Sequence, residues 1–185
     1  MAKNNQTIKM VKMALVLALF ILSSTFAQGS TGAVVGQVAL KFANPKALES
    51  GYVSGSDYLG KSWLILDFFA TDCAPCLKEL PFLEKILTKY TTSGSAGVAR
   101  LRGILFDQDA DPNVGAAFFK DRHSPFIVVQ DSYNTTYRKY KGPGDTVELP
   151  LTVVVAPDGK VAFVASGGSE ATMKALEAFI TANVK

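Results

Sequence analysis

Two cysteines, Cys73 and Cys76, are the residues of this chain whose type and spacing favour chemistry most clearly. They are the only cysteines in the 185 residues, and Ala74 and Pro75 separate them. Thiols spaced C-x-x-C can close a small disulfide, so that one attacks a foreign disulfide and the other resolves the product. Half of a zinc site is the alternative, but zinc needs about four ligands and only His123 could add to the pair. The spacing therefore predicts dithiol chemistry.

Cys73 lies where a predicted strand turns into a predicted helix. The apolar run 63–69 is short and β-rich, and from Pro75 apolar residues recur at helical spacing. The first cysteine therefore meets unpaired N–H groups and the positive end of a helix dipole, which favour the thiolate. We expect Cys73 to be the exposed nucleophile and Cys76 to be buried one helical turn further in. The predicted buried face of the helix consists of Leu77, Leu80, Leu83, Leu87 and Tyr90.

The N-terminus has the features of a secretory signal. Three lysines precede an apolar core over residues 13–22, and small residues around Ala27 suit a cleavage site. The core is about ten residues, shorter than the roughly 20 that span a bilayer. We therefore predict a signal peptide over 1–27 and a protein in the periplasm or another extracytoplasmic compartment. An uncleaved membrane anchor is the alternative.

Removing the signal changes the charge of the protein. The chain has 19 basic and 16 acidic residues, and the three signal lysines account for the whole excess. A neutral mature protein gives no support for nucleic-acid binding. Residues 28–185 suit one domain with a real core, which does not need a structural disulfide. We therefore expect the cysteine pair to serve redox chemistry.

The order of predicted elements indicates an α/β layer fold. A strand over 34–42 and the strand ending at Phe69 precede the long helix, and another strand follows it. A further helix and strand, between about Pro112 and Tyr140, read as an insertion. A β-hairpin over 151–165 and a final helix capped by Ser169 complete the chain.

Four segments, in this order, resemble the thioredoxin superfamily, and most closely its exported TlpA/ResA-like branch. They are the lead-in 58–61, the strand and active-site turn 66–76, Pro81 within the helix, and the segment and hairpin 149–159. The resemblance covers about residues 34–182. It implies a thioredoxin-like fold, with a central mixed sheet flanked by helices and an inserted helix-strand segment.

The resemblance also implies an activity. Members of this branch are thiol-disulfide oxidoreductases that exchange their dithiol with disulfide-bearing or dithiol partner proteins, some of them in cytochrome c maturation. We expect this chain to act as a reductant and a monomer, without a cofactor, a metal or a nucleic-acid partner. An upstream membrane protein could supply its electrons.

Asp67 is the first residue with a role implied by the resemblance. It lies six residues before Cys73, as does the buried acid of thioredoxin. Between apolar neighbours in a strand, its carboxyl should be desolvated and its pKa raised. It could then take the proton from Cys76 when that thiol attacks a mixed disulfide. An aspartate that merely faces water is the alternative.

Pro150 and Leu149 are the predicted substrate-binding residues. In the family the bond before this proline is cis and faces the dithiol, so that an extended substrate segment can pair with the exposed backbone. Leu149 is bulkier than the residue often found there, which could alter the groove. A proline that simply begins a strand is the alternative.

Asp72 departs from the family, which usually has Trp just before the first cysteine. An acid there opposes the helix dipole and should disfavour the Cys73 thiolate, which makes the dithiol more reducing. We expect Asp72, together with Ala74 and Pro75 between the cysteines, to tune the redox potential. A solvated turn residue without redox effect is the alternative for Asp72.

Two other functions remain open. A thioredoxin-fold peroxidase would have a proline and a Thr/Ser before its reactive cysteine; Thr71 is present, but Phe69 replaces the expected proline. A copper metallochaperone would have C-x-x-x-C and a distal histidine; the spacing here is one residue short, although His123 is available.

Overall fold

The structure is a computed structural model of the chain. The chain divides into two units, 1–30 and 31–185. The predicted signal peptide lies outside the described residues, within which no helix is long and apolar enough to cross a membrane. The described residues are 32–42, 46–48, 51–91, 100–143 and 148–185.

The described part of the second unit contains a six-stranded mixed sheet in the order β1-β4-β3-β2-β5-β6. Strands β2, β3 and β4 are parallel, whereas β1, β5 and β6 run antiparallel to their neighbours. The central position of β2 brings its C-terminal end, where the cysteines follow, between β3 and β5. The strands are β1 (Lys46–Ala47), β2 (Trp63–Phe69), β3 (Leu101–Asp107), β4 (Ile127–Gln130), β5 (Leu151–Val155) and β6 (Val161–Ser166).

Four α-helices are described alongside this sheet. Two of them begin with an ordinary side-chain cap: the Asp111 side chain accepts from the Asn113 N–H and the Ser169 side chain accepts from the Thr172 N–H. The predicted cap at Ser169 is therefore confirmed. The helices are α1 (Ala74–Thr91), α2 (Pro112–Phe119), α3 (Thr135–Lys141) and α4 (Glu170–Asn183), and a short 3-10 helix covers Gly55–Asp57.

The sheet has a core on each face, because side chains of a strand alternate between its two sides. On β2, Ile65 and Phe69 pack with α1 and α4, whereas Leu64, Leu66 and Phe68 pack with α3 and the N-terminal segment. Helices on both faces of a mixed sheet confirm the predicted α/β class. The predicted insertion, between about Pro112 and Tyr140, contains α2, β4 and most of α3.

The predicted strand over 34–42 is wrong. Within this segment only Val38 forms an isolated bridge, to Lys160. Gly36 has a φ of 87°, which interrupts an extended path. The apolar residues Val34, Val35 and Val38 are exposed as a result. The apolar character of this segment therefore does not place it in a strand of the sheet.

Leu77 also departs from the expectation, since its exposed fraction is 40%. It lies in the first turn of α1, and its side chain faces solvent there. The later residues of the predicted face, Leu80, Leu83, Leu87 and Tyr90, are buried as expected. The helical periodicity is therefore correct from the second turn onward.

Candidate active site

Cys73 and Cys76 are joined by a disulfide at the start of α1: Cys73 directly precedes the helix, after the turn that follows β2, and Cys76 lies in its first turn. Cys73 is half-buried and Cys76 has an exposed fraction of 1%. The Cys76 N–H donates to Cys73 Sγ at 3.2 Å, a contact that favours negative charge on that sulfur. An incoming group can therefore reach Cys73 more easily than Cys76. The roles of nucleophile and resolving thiol stay predictions.

The turn that carries Cys73 is held by backbone hydrogen bonds. The Cys73 N–H donates to the Ala70 carbonyl at 3.2 Å, and the Leu77 N–H donates to the Cys73 carbonyl at 3.1 Å. Pro75 is compatible with the first turn of α1. The N–H groups of that turn have no acceptor within the helix, so the missing proline N–H costs no helical hydrogen bond. Ala74 and Pro75 are both exposed. The two residues between the cysteines are therefore exposed to solvent, at a helix start that backbone hydrogen bonds hold in place.

Asp67 is buried in the middle of β2, with an exposed fraction of 2%. It shares a strand face with Ile65 and Phe69, which is the face covered by α1 and Cys76. Burial raises the pKa of Asp67 well above its usual range, the nearby Glu79 raises it further, and a hydrogen bond from Thr152 lowers it. The expected desolvation is present, and the proton-transfer role remains a prediction.

Glu79 is a second buried acid that the sequence analysis missed. It lies three residues after Cys76 on α1, has an exposed fraction of 1%, and burial raises its pKa to about 7. Residues three apart on a helix are neighbours, so its carboxyl lies on the same side of α1 as Cys76. The sequence did contain a signal for its burial, because Glu79 lies within the apolar face of an amphipathic helix.

Thr152 joins the two acids. It pairs with Asp67 in the β2–β5 register, and its hydroxyl oxygen lies 2.9 Å from Asp67 Oδ1 and 3.1 Å from Glu79 Oε1. A hydroxyl group has one hydrogen to donate, so a carboxyl that does not receive it must itself be protonated to bond the same oxygen. The arrangement therefore accommodates one proton on the acid pair.

Pro150 and Leu149 precede β5, and the bond between them is cis. Pro150 is buried and Leu149 is half-buried. The Gly167 N–H donates to the Pro150 carbonyl at 2.8 Å, while a methyl group at Gly168 would lie only 2.7 Å from the Pro75 carbonyl oxygen. The Gly167–Gly168 loop therefore contacts both the proline segment and the active-site turn. Substrate binding by Leu149 and Pro150 stays a prediction.

Asp72 and His123, the other polar candidates, are both exposed. Asp72 directly precedes Cys73 at the turn, and its effect on the dithiol stays a prediction. His123 lies in the loop between α2 and β4. In the part of the chain that the structure describes, no group of three or more His, Cys, Asp or Glu side chains could hold a metal ion.

Comparison with known proteins agrees with this geometry. Residues 35–164 match the model of the AhpC/TSA family. A thiol-disulfide oxidoreductase ResA from Geobacillus thermodenitrificans is 28% identical over 89% of this chain and 90% of its own length. A ResA from Bacillus thuringiensis is 28% identical over 72% of this chain and 69% of its own.

Solved structures give the same result. A structure from Chlorobium tepidum, described as a thiol:disulfide interchange protein DsbE, is 27% identical, with a TM-score of 0.70 over 83% of this chain and all of that one. A protein disulfide isomerase structure from Bacteroides thetaiotaomicron shares the fold, with a TM-score of 0.69. The family match, the fold and the cysteine pair together show that the chain belongs to the AhpC/TSA family and is a thiol-disulfide oxidoreductase of the ResA/DsbE type.

Proposed function

We propose that this enzyme is exported and reduces disulfides in partner proteins. The observation that carries the proposal is the different placement of the two cysteines. Cys73 is half-buried at the start of α1, whereas Cys76 is buried on the side of α1 that carries Glu79 and faces Asp67 of β2. Such a site supports attack by the first thiol and proton removal from the second.

The reaction then runs in two exchanges. The Cys73 thiolate attacks one sulfur of the partner's disulfide, forms a mixed disulfide and releases the partner's first thiolate, which takes up a proton. Cys76 attacks Cys73 Sγ, and the partner's second sulfur leaves as a thiolate that is protonated in turn. Two electrons and two protons pass to the partner, and the enzyme is left as the Cys73–Cys76 disulfide.

Asp67 and Glu79 would serve the second exchange. Cys76 is buried away from water and must lose its proton to become a nucleophile. A carboxylate with a raised pKa is a stronger base than an ordinary one, and the pKa of Glu79 is about 7, close to neutral pH. The acid pair would accept the Cys76 proton during attack and lose it to solvent afterwards.

The reducing direction is supported by Asp72. A negative charge next to the nucleophile disfavours the thiolate, and hence the reduced form of the enzyme. The dithiol therefore donates its electrons to a partner's disulfide more readily. The disulfide enzyme must then be recharged, and a membrane dithiol protein could supply the electrons. Apocytochromes c are one partner class, because their C-x-x-C-H haem-attachment motif must be reduced before haem binds.

The remaining parts of the proposal concern export and substrate contact. Residues 1–27 would act as a signal peptide, which leaves residues 28–185 as a thioredoxin-like domain in the periplasm or an equivalent compartment. Leu149 and Pro150 would contact the partner's backbone beside its disulfide. Fractionation of cells that express the full chain, followed by N-terminal sequencing, tests the first part; a first residue at Gln28 is expected.

Trapping tests the function itself. Cys76→Ala removes the resolving thiol, so the mixed disulfide with a partner should accumulate and can be identified by mass spectrometry after non-reducing electrophoresis. The matched control is the Cys73→Ala, Cys76→Ala double variant, which should trap nothing. Equal amounts of trapped protein in both, or wild-type protein that fails to reduce insulin disulfides, would contradict the proposal.

The same preparation separates the two alternatives. A peroxidase would consume hydrogen peroxide with thiol oxidation much faster than it reduces insulin, and a copper metallochaperone would bind Cu(I) in its reduced form without turning over disulfides. We expect insulin reduction to dominate. Dominant peroxide consumption, or tight copper binding without turnover, would replace the proposed function.

A further inference from the structure

Asp109 contacts the active-site turn from a neighbouring strand end. It follows β3 and is buried, with an exposed fraction of 8%. Its Oδ1 accepts two hydrogen bonds from Thr71, one from the backbone N–H and one from the hydroxyl, both at 3.1 Å. Thr71 lies two residues before Cys73. One carboxylate oxygen therefore holds both the backbone and the side chain of the turn.

Asp107 in turn holds Asp109. The Asp107 Oδ1 accepts from the Asp109 N–H at 3.1 Å, and Asp107 Oδ2 has no hydrogen-bond partner among the described residues. Asp107 is buried against Gly115 of α2, where a methyl group would lie 2.6 Å from Asp107 Cγ and closer still to Oδ2. The close approach of α2 therefore depends on a glycine at position 115.

These contacts form a continuous path from the inserted segment to the dithiol. It runs from Gly115 on α2 to Asp107, then to Asp109, and then to Thr71 next to the cysteines. Each step is a tight packing contact or a hydrogen bond between buried or half-buried groups. Such contacts restrict backbone movement more than exposed ones do.

We propose that Asp109 is a positioning residue for the thiol-disulfide exchange and that α2, through Asp107, keeps it in place. Thiol attack on a disulfide needs a near-linear arrangement of three sulfurs, so the rate depends on how firmly the Cys73 turn is oriented. Asp109 touches no reacting atom. It acts by fixing Thr71, and through it the direction in which Cys73 Sγ faces a partner.

The test separates geometry from charge. Asp109→Asn removes the negative charge but keeps an oxygen that can accept both Thr71 hydrogen bonds, whereas Asp109→Ala removes both the charge and the acceptor. Reduced full-length protein is mixed with excess glutathione disulfide at several pH values, and the thiols remaining on the protein are counted after acid quenching and removal of glutathione. The reaction rate at the high-pH plateau depends on how the ionised thiol is oriented, and the pH at the midpoint of the rate profile gives the pKa of that thiol.

We expect Asp109→Ala to lower the plateau rate by about three- to tenfold, while Asp109→Asn stays within about twofold of wild type. Thr71→Val keeps the backbone hydrogen bond to Asp109 and loses the hydroxyl hydrogen bond, so we expect a plateau rate between those of wild type and Asp109→Ala. If Asp109→Ala does not fold, Thr71→Val replaces it in the test. Val161→Ala is the stability control, since it removes buried methyl groups from the core on the other face of the sheet, outside the path from α2 to Thr71. It should lower the melting temperature and leave the plateau unchanged.

Gly115→Ala tests the path from the other end. The added methyl group must displace Asp107, so the plateau should fall although residue 115 lies outside the dithiol segment. Val114→Ala on the same helix is the control, because it shortens an exposed side chain next to Gly115 without adding an atom against Asp107, and it should leave the plateau unchanged.

Three results would overturn the proposal. The first is unchanged plateaus in Asp109→Ala and Gly115→Ala. The second is an equal plateau loss in Asp109→Ala and Asp109→Asn, which would assign the effect to charge. The third is an equal plateau loss in the Val161→Ala control, which would assign it to general destabilisation.

Discussion

Asp67 on β2 and Glu79 on α1 contact the same hydroxyl oxygen, that of Thr152, at 2.9 Å and 3.1 Å. Neither acid has a cationic partner among the ion pairs of the described residues. Two buried carboxyls this close titrate as a pair, and ionisation of one opposes that of the other. The acid pair can therefore hold one proton, which a role in proton transfer would require.

Thr152→Val should move the pH dependence of disulfide reduction upward. The hydroxyl lowers the pKa of both acids, so its loss leaves less carboxylate at neutral pH to accept the Cys76 proton. Insulin reduction measured from pH 5 to 9 should show a higher midpoint with a similar plateau. Thr88→Val is the control, because its hydroxyl donates to the Glu84 carbonyl on the outside of α1. An unshifted midpoint would contradict the predicted role of the acid pair in accepting the Cys76 proton.

Asp67→Asn and Glu79→Gln should each slow reduction near pH 7 with little loss of folding, since both changes keep shape and remove a proton acceptor. The deficit should shrink toward pH 9, where Cys76 ionises without help. Rates of insulin reduction over this pH range, with circular dichroism as a check on folding, test the prediction. A loss that is the same at every pH would exclude a role in proton transfer.

Single cysteine variants should show which thiol attacks. Cys76→Ser should form a mixed disulfide with a cysteine-containing peptide activated as a mixed aromatic disulfide, and Cys73→Ser should do so far more slowly, because Cys76 is buried. Mass spectrometry of the adducts measures both rates. A faster reaction of Cys73→Ser would reverse the assignment of the two thiols.

Asp72→Asn should make the dithiol less reducing. Removing a negative charge next to Cys73 favours the thiolate and therefore the reduced form, but the side chain is exposed and screened by salt. We expect the redox potential to rise by tens of millivolts at most, where about 30 mV corresponds to a tenfold change in the equilibrium constant. Equilibration of wild type and variant with glutathione gives both values. A wild-type potential near about −120 mV, at the strongly oxidising end, would contradict the reductant proposal.

The free energy of unfolding of the oxidised protein should fall as pH rises from about 4 to 8. Burial raises the pKa of Glu79 and of Asp107 to about 7, so the folded state binds protons more tightly than the unfolded chain. Their contribution is present below the unfolded pKa values and is lost as pH rises through about 7, at up to about 1.4 kcal/mol per pH unit for each group. Urea unfolding across this range measures the slope.

Two variants and a control identify the groups that cause this change of the unfolding free energy with pH. Glu79→Gln and Asp107→Asn should each flatten it, because the group that takes up the extra proton is gone. Asp158→Asn changes an exposed aspartate in the β5–β6 turn and should leave the slope as it is. A slope that neither buried variant alters would mean that other groups control the pH dependence.

Several features of this protein followed from the sequence because they depend on neighbours along the chain. The cysteine pair, the strand before it and the helix after it lie within residues 63–91, where periodicity and helix-start chemistry decide the structure. The cap at Ser169 is equally local. Burial of Asp67 also followed, because an acid inside a continuous apolar run in a central strand faces a core on either side.

The tertiary structure alone decided which distant groups meet around the dithiol. Thr152 is 85 residues from Asp67 and 73 from Glu79 along the chain, and Asp109 is 38 residues from Thr71. Such contacts depend on strand order and register, which local patterns do not specify. The segment 34–42 shows the same limit, because a strand there needed a neighbouring strand along its whole length, and the fold provides only an isolated bridge.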